Sequence, residues 1–366
     1  MFQQRISTAA RPRWRNRLVT THRWLGIAAA IFWLIQAITG VPIVFHWELD
    51  DAMLTGRHAA TSLPAIEARL TALTPPGAGR HVTSLWTSAG TADRYDVHVA
   101  AADGTTRTLR ISGDGAVLRD MDGAERTATD TIVVLHQTLL AGKAGGWIVG
   151  ISGLLLLSNL LAGAWVAWPR RGTWRRAIVP IRTGGPTART YSWHRALGLI
   201  GALPAILLIS AGILRVFEDG TSSLIGVVPI KMAAQPGTPR IGFAAAVETA
   251  IRAVPGSKLT AVTGLPDTDN ATWRIRLLAP GERRRAYGMT TVFVDAVGGR
   301  VRGIYPASQA PLANSVMDAL YAIHTGEIAG LTGRLLVLAT GLWLTVMIVL
   351  GVTLWQRRRK PRKARI

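Results

Sequence analysis

The chain has 366 residues, 49% of them hydrophobic, with 42 Lys plus Arg against 21 Asp plus Glu, a net charge of +21 and no cysteine. The missing cysteines exclude disulfides, iron–sulfur clusters, thiolate ligation of metals and covalent Cys-x-x-Cys-His haem attachment. The positive charge does not mark a nucleic-acid binder, because it is confined: six Arg precede Trp24, seven lie in 169–195, and seven Lys plus Arg follow Trp355, with no Asp or Glu in any of the three stretches.

Between those basic stretches run four segments without a charged side chain, Trp24 to Phe45, Trp147 to Trp168, Ala196 to Leu214 and Leu335 to Trp355. At a rise of about 1.5 Å per residue, each is long enough to cross a hydrocarbon layer roughly 30 Å thick. Trp24, Trp147, Trp165, Trp168 and Trp355 sit near their ends, as in an aromatic belt. The three basic pieces hold 20 of the 21 net charges and alternate along the chain, so the positive-inside rule places them all on the cytoplasmic side. The N-terminus reads as an uncleaved anchor, since its apolar run is long and no Ala-x-Ala site follows.

The expected organisation is a multi-pass α+β protein of the bacterial inner membrane with four transmembrane helices. It runs from a cytoplasmic N-terminus and first span (1–45) to a periplasmic domain (46–135), a second span (136–168) and a basic cytoplasmic loop (169–193). A third span (194–216), a second periplasmic domain (217–323), a fourth span (324–356) and a basic cytoplasmic tail (357–366) complete it. Within the first polar stretch, Pro64 to Leu73 has helical spacing, and strand-like runs follow at Thr83 to Thr87, Tyr95 to Ala101, Arg107 to Ser112 and Ala116 to Met121. The Asp103-Gly104 and Asp114-Gly115 steps predict tight hairpins. The second polar stretch repeats the order: a helix over Ile241 to Val254, then strands at Lys258 to Leu265, Thr272 to Ala279, Met289 to Asp295 and Arg300 to Tyr305. Leu63, Ile66, Leu70 and Leu73 on one helix, and Phe243, Val247, Ile251 and Val254 on the other, form apolar faces that a sheet must cover.

The repetition extends through the apolar segments. His22-Arg23-Trp24-Leu25-Gly26 and His194-Arg195-Ala196-Leu197-Gly198 share a His-Arg-x-Leu-Gly opening, and the same offset of 172 places Gly40 on Gly212. An offset of 188 places His136 on His324, and Gly142, Gly145, Gly153 and Gly163 on Gly330, Gly333, Gly341 and Gly351. The chain is a tandem duplication, and such membrane proteins tend to be pseudo-two-fold symmetric, with equivalent residues approaching the axis.

Four of the eight histidines occupy matched positions, His22 with His194 and His136 with His324. Facing imidazoles suit the two axial positions of one haem iron, so two pairs imply one haem b near each membrane face. The plainer alternative for any one of them is an interfacial polar anchor. Arg23 and Arg195 suit haem propionates by charge-assisted hydrogen bonds, or lipid phosphates by snorkelling; Lys143 and Arg334 have the same two roles on the outer side. His46 has Glu218 at its matched position and stands only as a substitute outer ligand. His58, His81 and His98 lack matched partners and read as surface or loop residues.

A helix followed by an antiparallel meander, with Val-Phe-Val-Asp-x-x-x-Gly-x-Val over Val292 to Val301, is similar to a PepSY domain. The first copy is degenerate, carrying Arg110-Ile111-Ser112-Gly113 where the second has Phe293-Val294-Asp295-Ala296. Joined to the His-Arg-x-Leu-Gly openings, the pattern resembles the PepSY-associated transmembrane helix family, which includes FoxB-type ferric-siderophore (ferrioxamine) reductases. The resemblance implies an oxidoreductase for iron acquisition, with ferric siderophore as substrate and membrane lipid around the spans. It also admits electron transfer to another periplasmic acceptor, or a non-catalytic module regulating a partner. No His-Glu-x-x-His, Gly-x-Ser-x-Gly, Walker A or dinucleotide glycine fingerprint is present, so the electron donor is expected to be a quinol or a separate cytoplasmic reductase.

Overall fold

The computed structural model describes residues 13–54, 56, 58–75, 77–88, 93–282 and 288–359. The first twelve residues, and all of the basic tail beyond Arg359, lie outside them. In chain order the elements open with α1 (Arg13–Ala28), α2 (Ala30–Ile43), α3 (His46–Ala52) and α4 (Leu63–Leu73). Strands β1 (Arg80–Thr87), β2 (Arg94–Ala101), β3 (Thr106–Ser112) and β4 (Val117–Asp122) follow, then α5 (Ala128–Thr138), α6 (Gly142–Ala167), α7 (Trp174–Ile178) and α8 (Pro186–Val216). The second half has α9 (Glu218–Ile225), α10 (Phe243–Ala253), β5 (Lys258–Gly264), β6 (Thr272–Leu278), β7 (Thr290–Asp295), β8 (Val301–Tyr305), α11 (Leu312–Thr325) and α12 (Gly330–Arg359). Two compact units result, one helical (through Val44, 133–218 and from Arg334) and one built on the sheet (45–132 and 219–333).

In the helical unit, α6, α8 and α12 are each long and apolar enough to cross a membrane. The first apolar run departs from expectation, because α1 and α2 meet at Ala29 with a bend of 66°. Among the described residues the candidates are therefore three spans, or four if the bent pair is one. Its repeat equivalent α8 is continuous, and there Trp343 lies against Gly201 and donates Nε1–H to the Leu197 carbonyl at 2.9 Å.

Three span boundaries also differ from those expected. α8 starts at Pro186, ahead of His194, because a proline at the first helical turn needs no hydrogen bond from its nitrogen. α6 and α12 open at Gly142 and Gly330, so His136 and His324 ride on the separate preceding helices α5 and α11. The matched glycines explain the interruption. Gly142 and Gly330 both take left-handed backbone, φ 56° and 60°, which glycine adopts without penalty. A Cβ on Gly145 would stand 1.7 Å from the Thr138 carbonyl, and one on Gly333 2.1 Å from the Gly326 carbonyl. Each span thus begins tucked beneath the last turn of the helix before it, a fit only glycine permits.

The repeat governs helix packing as well. A Cβ on Gly153 of α6 would meet Ile213 of α8 at 2.9 Å, and one on Gly341 of α12 would meet Val41 of α2 at 3.1 Å. Val41 and Ile213 are themselves related by the offset of 172, so one close contact is made twice.

In the other unit the strands form a single antiparallel sheet of order β4-β3-β2-β1-β5-β6-β7-β8. The two expected domains are halves of this sheet, joined where β1 pairs with β5 through Leu85↔Val262 and Trp86↔Ala261. Each four-stranded meander alone would leave β1 or β5 as an unpaired edge, and the pairing satisfies both edges at once. α4 and α10 cover one face with the expected stripes: Ile66, Leu70, Phe243 and Val247 are buried, and Leu63, Leu73, Ile251 and Val254 partly so, in one core with Leu85, Tyr95, Val262, Ile275 and Val292. The Asp-Gly steps make their hairpins, with Gly104 and Gly115 at φ 84° and 76°.

The opposite face distinguishes the halves. Phe293 meets Tyr305 edge to face at 5.7 Å, whereas in the degenerate first copy Arg110 takes the corresponding place and pairs with Asp50 of α3 and, at 2.7 Å, with Asp96. Arg119 donates to both oxygens of Asp50 at 2.9 and 2.7 Å, and Arg94 pairs with Asp51 at 3.1 Å. The first copy thus carries a buried ion network where the second carries an aromatic pair.

Candidate functional site

His22 on α1 and His194 on α8 face each other in the helical unit, with ring centroids 6.2 Å apart and planes at 55°. The His22 ring sits in a notch at Gly163 of α6, where a Cβ would lie 2.7 Å from Cε1. Its Nδ1 lies 3.0 Å from the Asn159 carbonyl, an acceptor only, so the proton resides on Nδ1 and Nε2 keeps a free lone pair. The second copy repeats part of this construction: His194 packs on Gly351 beside the backbone of Met347, but its buried Nδ1 makes no hydrogen bond. Asn159 with Met347, and Gly163 with Gly351, are related by the offset of 188. Both rings thus pack on a glycine that makes room for them, and the His22 ring is turned by the carbonyl one helical turn before it.

The spacing would accommodate one metal ion between the two rings: with a metal–imidazole bond of about 2 Å and a ring centre about 1 Å beyond the nitrogen, two such rings would stand roughly 6 Å apart. Orienting the ligand ring through its other nitrogen is the usual outer-sphere device.

His136 on α5 is oriented by a side chain. The Thr39 hydroxyl donates to the Ile35 carbonyl at 2.7 Å and therefore accepts from Nδ1 of His136 at 3.2 Å. Gly40 supplies the notch, its absent Cβ 3.1 Å from Cε1. His324 is half-buried in the last turn of α11, in the sheet unit.

The flanking cations have other tasks. Arg195 donates Nε and Nη2 to the Ala167 carbonyl at 3.2 Å and closes the C-terminus of α6. Arg23 is exposed and stacked over its neighbour Trp24 at 5.3 Å. Arg334 is buried and donates to the Val44 carbonyl at 3.1 and 2.6 Å, tying α12 to the end of α2, and Lys143 is exposed at the start of α6. His46 stacks on Trp47 at 4.5 Å. His58 pairs with Asp93 at 2.7 Å and with Asp51 at 3.5 Å, His98 bonds Thr108 at 3.2 Å, and His81 is exposed. Sequence reasoning named the histidines and the glycines but not the orienting partners, Asn159 and Thr39. Backbone carbonyls leave no trace in residue identity, though Asn159 is the one carboxamide in its apolar run.

Apolar helices in tandem, a duplicated helix-on-sheet unit and a histidine pair built symmetrically from both copies define a membrane protein with a PepSY module. The chain belongs to the PepSY-associated TM region family, whose model matches residues 19–358. No match was found among curated proteins.

Proposed function

We propose that this protein is an oxidoreductase that binds haem b, carries electrons across the bacterial inner membrane and reduces ferric siderophore in the periplasm. The observation that supports it most is the His22–His194 pair, 6.2 Å apart, each ring packed on a repeat-equivalent glycine, Gly163 and Gly351. His22 and His194 would hold the inner haem, and His136 and His324 are assigned to a second one on the outer side. When bound, haem supplies a one-electron iron couple among apolar helices. His22 and His194 would fix the ring planes, the Nδ1 hydrogen bond of His22 would raise the donor strength of its Nε2, and the surrounding side chains would exclude water. The siderophore assignment comes from the family resemblance and from coordination chemistry: hard Fe3+ is held tightly by oxygen chelators, and the softer reduced ion is not. The basic termini and loop support a periplasmic position for the sheet unit.

The test is the absorption spectrum of protein purified from haem-replete cells. A bis-imidazole b-type spectrum is expected, reduced in amplitude by His22→Ala or His194→Ala, with reoxidation of the reduced protein by ferric siderophores. No haem with all four matched histidines intact refutes the reading in favour of a regulatory module; haem without reoxidation by any ferric siderophore points to another acceptor. A periplasm-specific reporter fused after Gly104 or Gly281 should be active and one after Gly185 silent; the inverse overturns the topology.

A further inference from the structure

The loop between α6 and α8 carries charge that the histidine site does not use. Arg170, Arg171, Arg175, Arg176, Arg182 and Arg189 are exposed, no Asp or Glu lies in 169–195, and among the described residues none of the six forms an ion pair. The loop is nevertheless a formed platform. α7 buries Ala177 to 2% exposure, Trp174 packs edge to face on Trp168 at 5.0 Å, and Ile181 N–H donates to Ser192 Oγ at 3.1 Å. Its base is fixed at both ends, by Arg195 on the Ala167 carbonyl and by Arg357 on the Pro186 carbonyl at 2.8 Å.

Interleaved with the cations are exposed apolar groups: Trp168 at 65%, Trp174 at 43%, Val179 at 55% and Ile181 at 44%. We propose that this loop is a binding surface for anionic phospholipid headgroups. The proposal needs only that α6 and α8 cross a bilayer, and is independent of the haem reading. α6 ends at Ala167 and α8 begins at Pro186, so both anchors of the loop lie where the spans leave the membrane. An acidic protein would neutralise the arginines but leave the tryptophans and aliphatics against a polar surface. A lipid interface satisfies both: the apolar groups enter the acyl boundary and the cations meet phosphate. Every cation here is arginine, whose planar fork matches phosphate oxygens in pairs where lysine offers a point charge.

The test is retention of phosphatidylglycerol against phosphatidylcholine on the full-length protein in detergent, followed by native mass spectrometry. Wild type should retain phosphatidylglycerol preferentially, and the preference should fall with salt. Each of Arg175→Gln, Arg176→Gln and Arg182→Gln should weaken phosphatidylglycerol binding about five-fold, with phosphatidylcholine unaffected. Arg240→Gln, the same charge change in the sheet unit, should alter neither. Equal retention of the two lipids by wild type, or single variants that all keep the full preference, overturns the proposal. If the variants keep that preference yet lose affinity for an acidic flavin-bearing carrier protein, the surface docks protein and the lipid assignment fails.

Discussion

Gly163→Ala is the sharpest test of how the histidine pair is built. The new methyl would lie 2.7 Å from Cε1 and 3.1 Å from Nδ1 of His22, where carbon contacts settle at about 3.5 Å. α6 is held by its own hydrogen bonds, so the imidazole must withdraw by about 0.8 Å. That stretches the 3.0 Å contact from Nδ1 to the Asn159 carbonyl beyond hydrogen-bonding range and leaves a donor unpaired among apolar helices, at about 1–3 kcal/mol. Loss of an orienting partner lowers metal affinity about 10- to 100-fold. Gly351→Ala provides the comparison, because there the methyl would rest 3.5 Å from His194 Cε1, an ordinary contact. Haem titrated into purified protein and followed by absorbance should give a dissociation constant raised 10- to 100-fold in the first variant and nearly unchanged in the second. Gly351→Ala should also melt higher, since alanine is favoured over glycine within a helix by about 1 kcal/mol. Equal losses in the two variants, or none in Gly163→Ala, would refute the account of ring orientation.

Three further outcomes are expected. Thr39→Val removes the acceptor that orients His136 and should weaken the outer haem signal about 10- to 100-fold in affinity while the inner one persists; loss of both would argue against separate sites. Burial opposes ionisation of Asp50, but the Arg119 hydrogen bond and the Arg110 and Arg119 charges outweigh it and hold the carboxyl below its usual range. A depressed folded value contributes stability that is present above the ordinary carboxylate pKa and lost as pH falls through the folded one. Asp50→Asn should therefore cost about 3 kcal/mol near neutrality and flatten the acid limb of the melting curve; an unchanged limb would show that Asp50 does not govern it. Leu85→Ala, at the β1–β5 junction and fully buried, should cost about 2–5 kcal/mol and shift the whole sheet unit in one transition, whereas two separated transitions in calorimetry would mean that the halves fold apart.

Local and periodic features were legible in the sequence. Uncharged length identified the apolar helices, the period-two runs located all eight strands within a few residues, and two offsets exposed the duplication with its four histidines. These depend on side-chain pattern, and pattern survives without coordinates. The positions of the matched glycines were visible too, but their purpose was not, because a missing Cβ has meaning only once the opposing atom is known: the Thr138 carbonyl for Gly145, the His22 ring for Gly163. Other features required the tertiary structure. The sheets of the two copies merge because edge strands β1 and β5 satisfy each other's backbone, and backbone pairing carries no residue signature. The bend at Ala29 is absent from the matched helix α8, so the repeat itself argued against it. The His22 imidazole is turned by the carbonyl of Asn159, a group common to every residue, which becomes specific only when folding brings it beside a ring. The sequence alone nominated the histidines of the candidate site; only the tertiary structure decided which nitrogen of His22 donates, because that depends on a carbonyl 137 residues away along the chain.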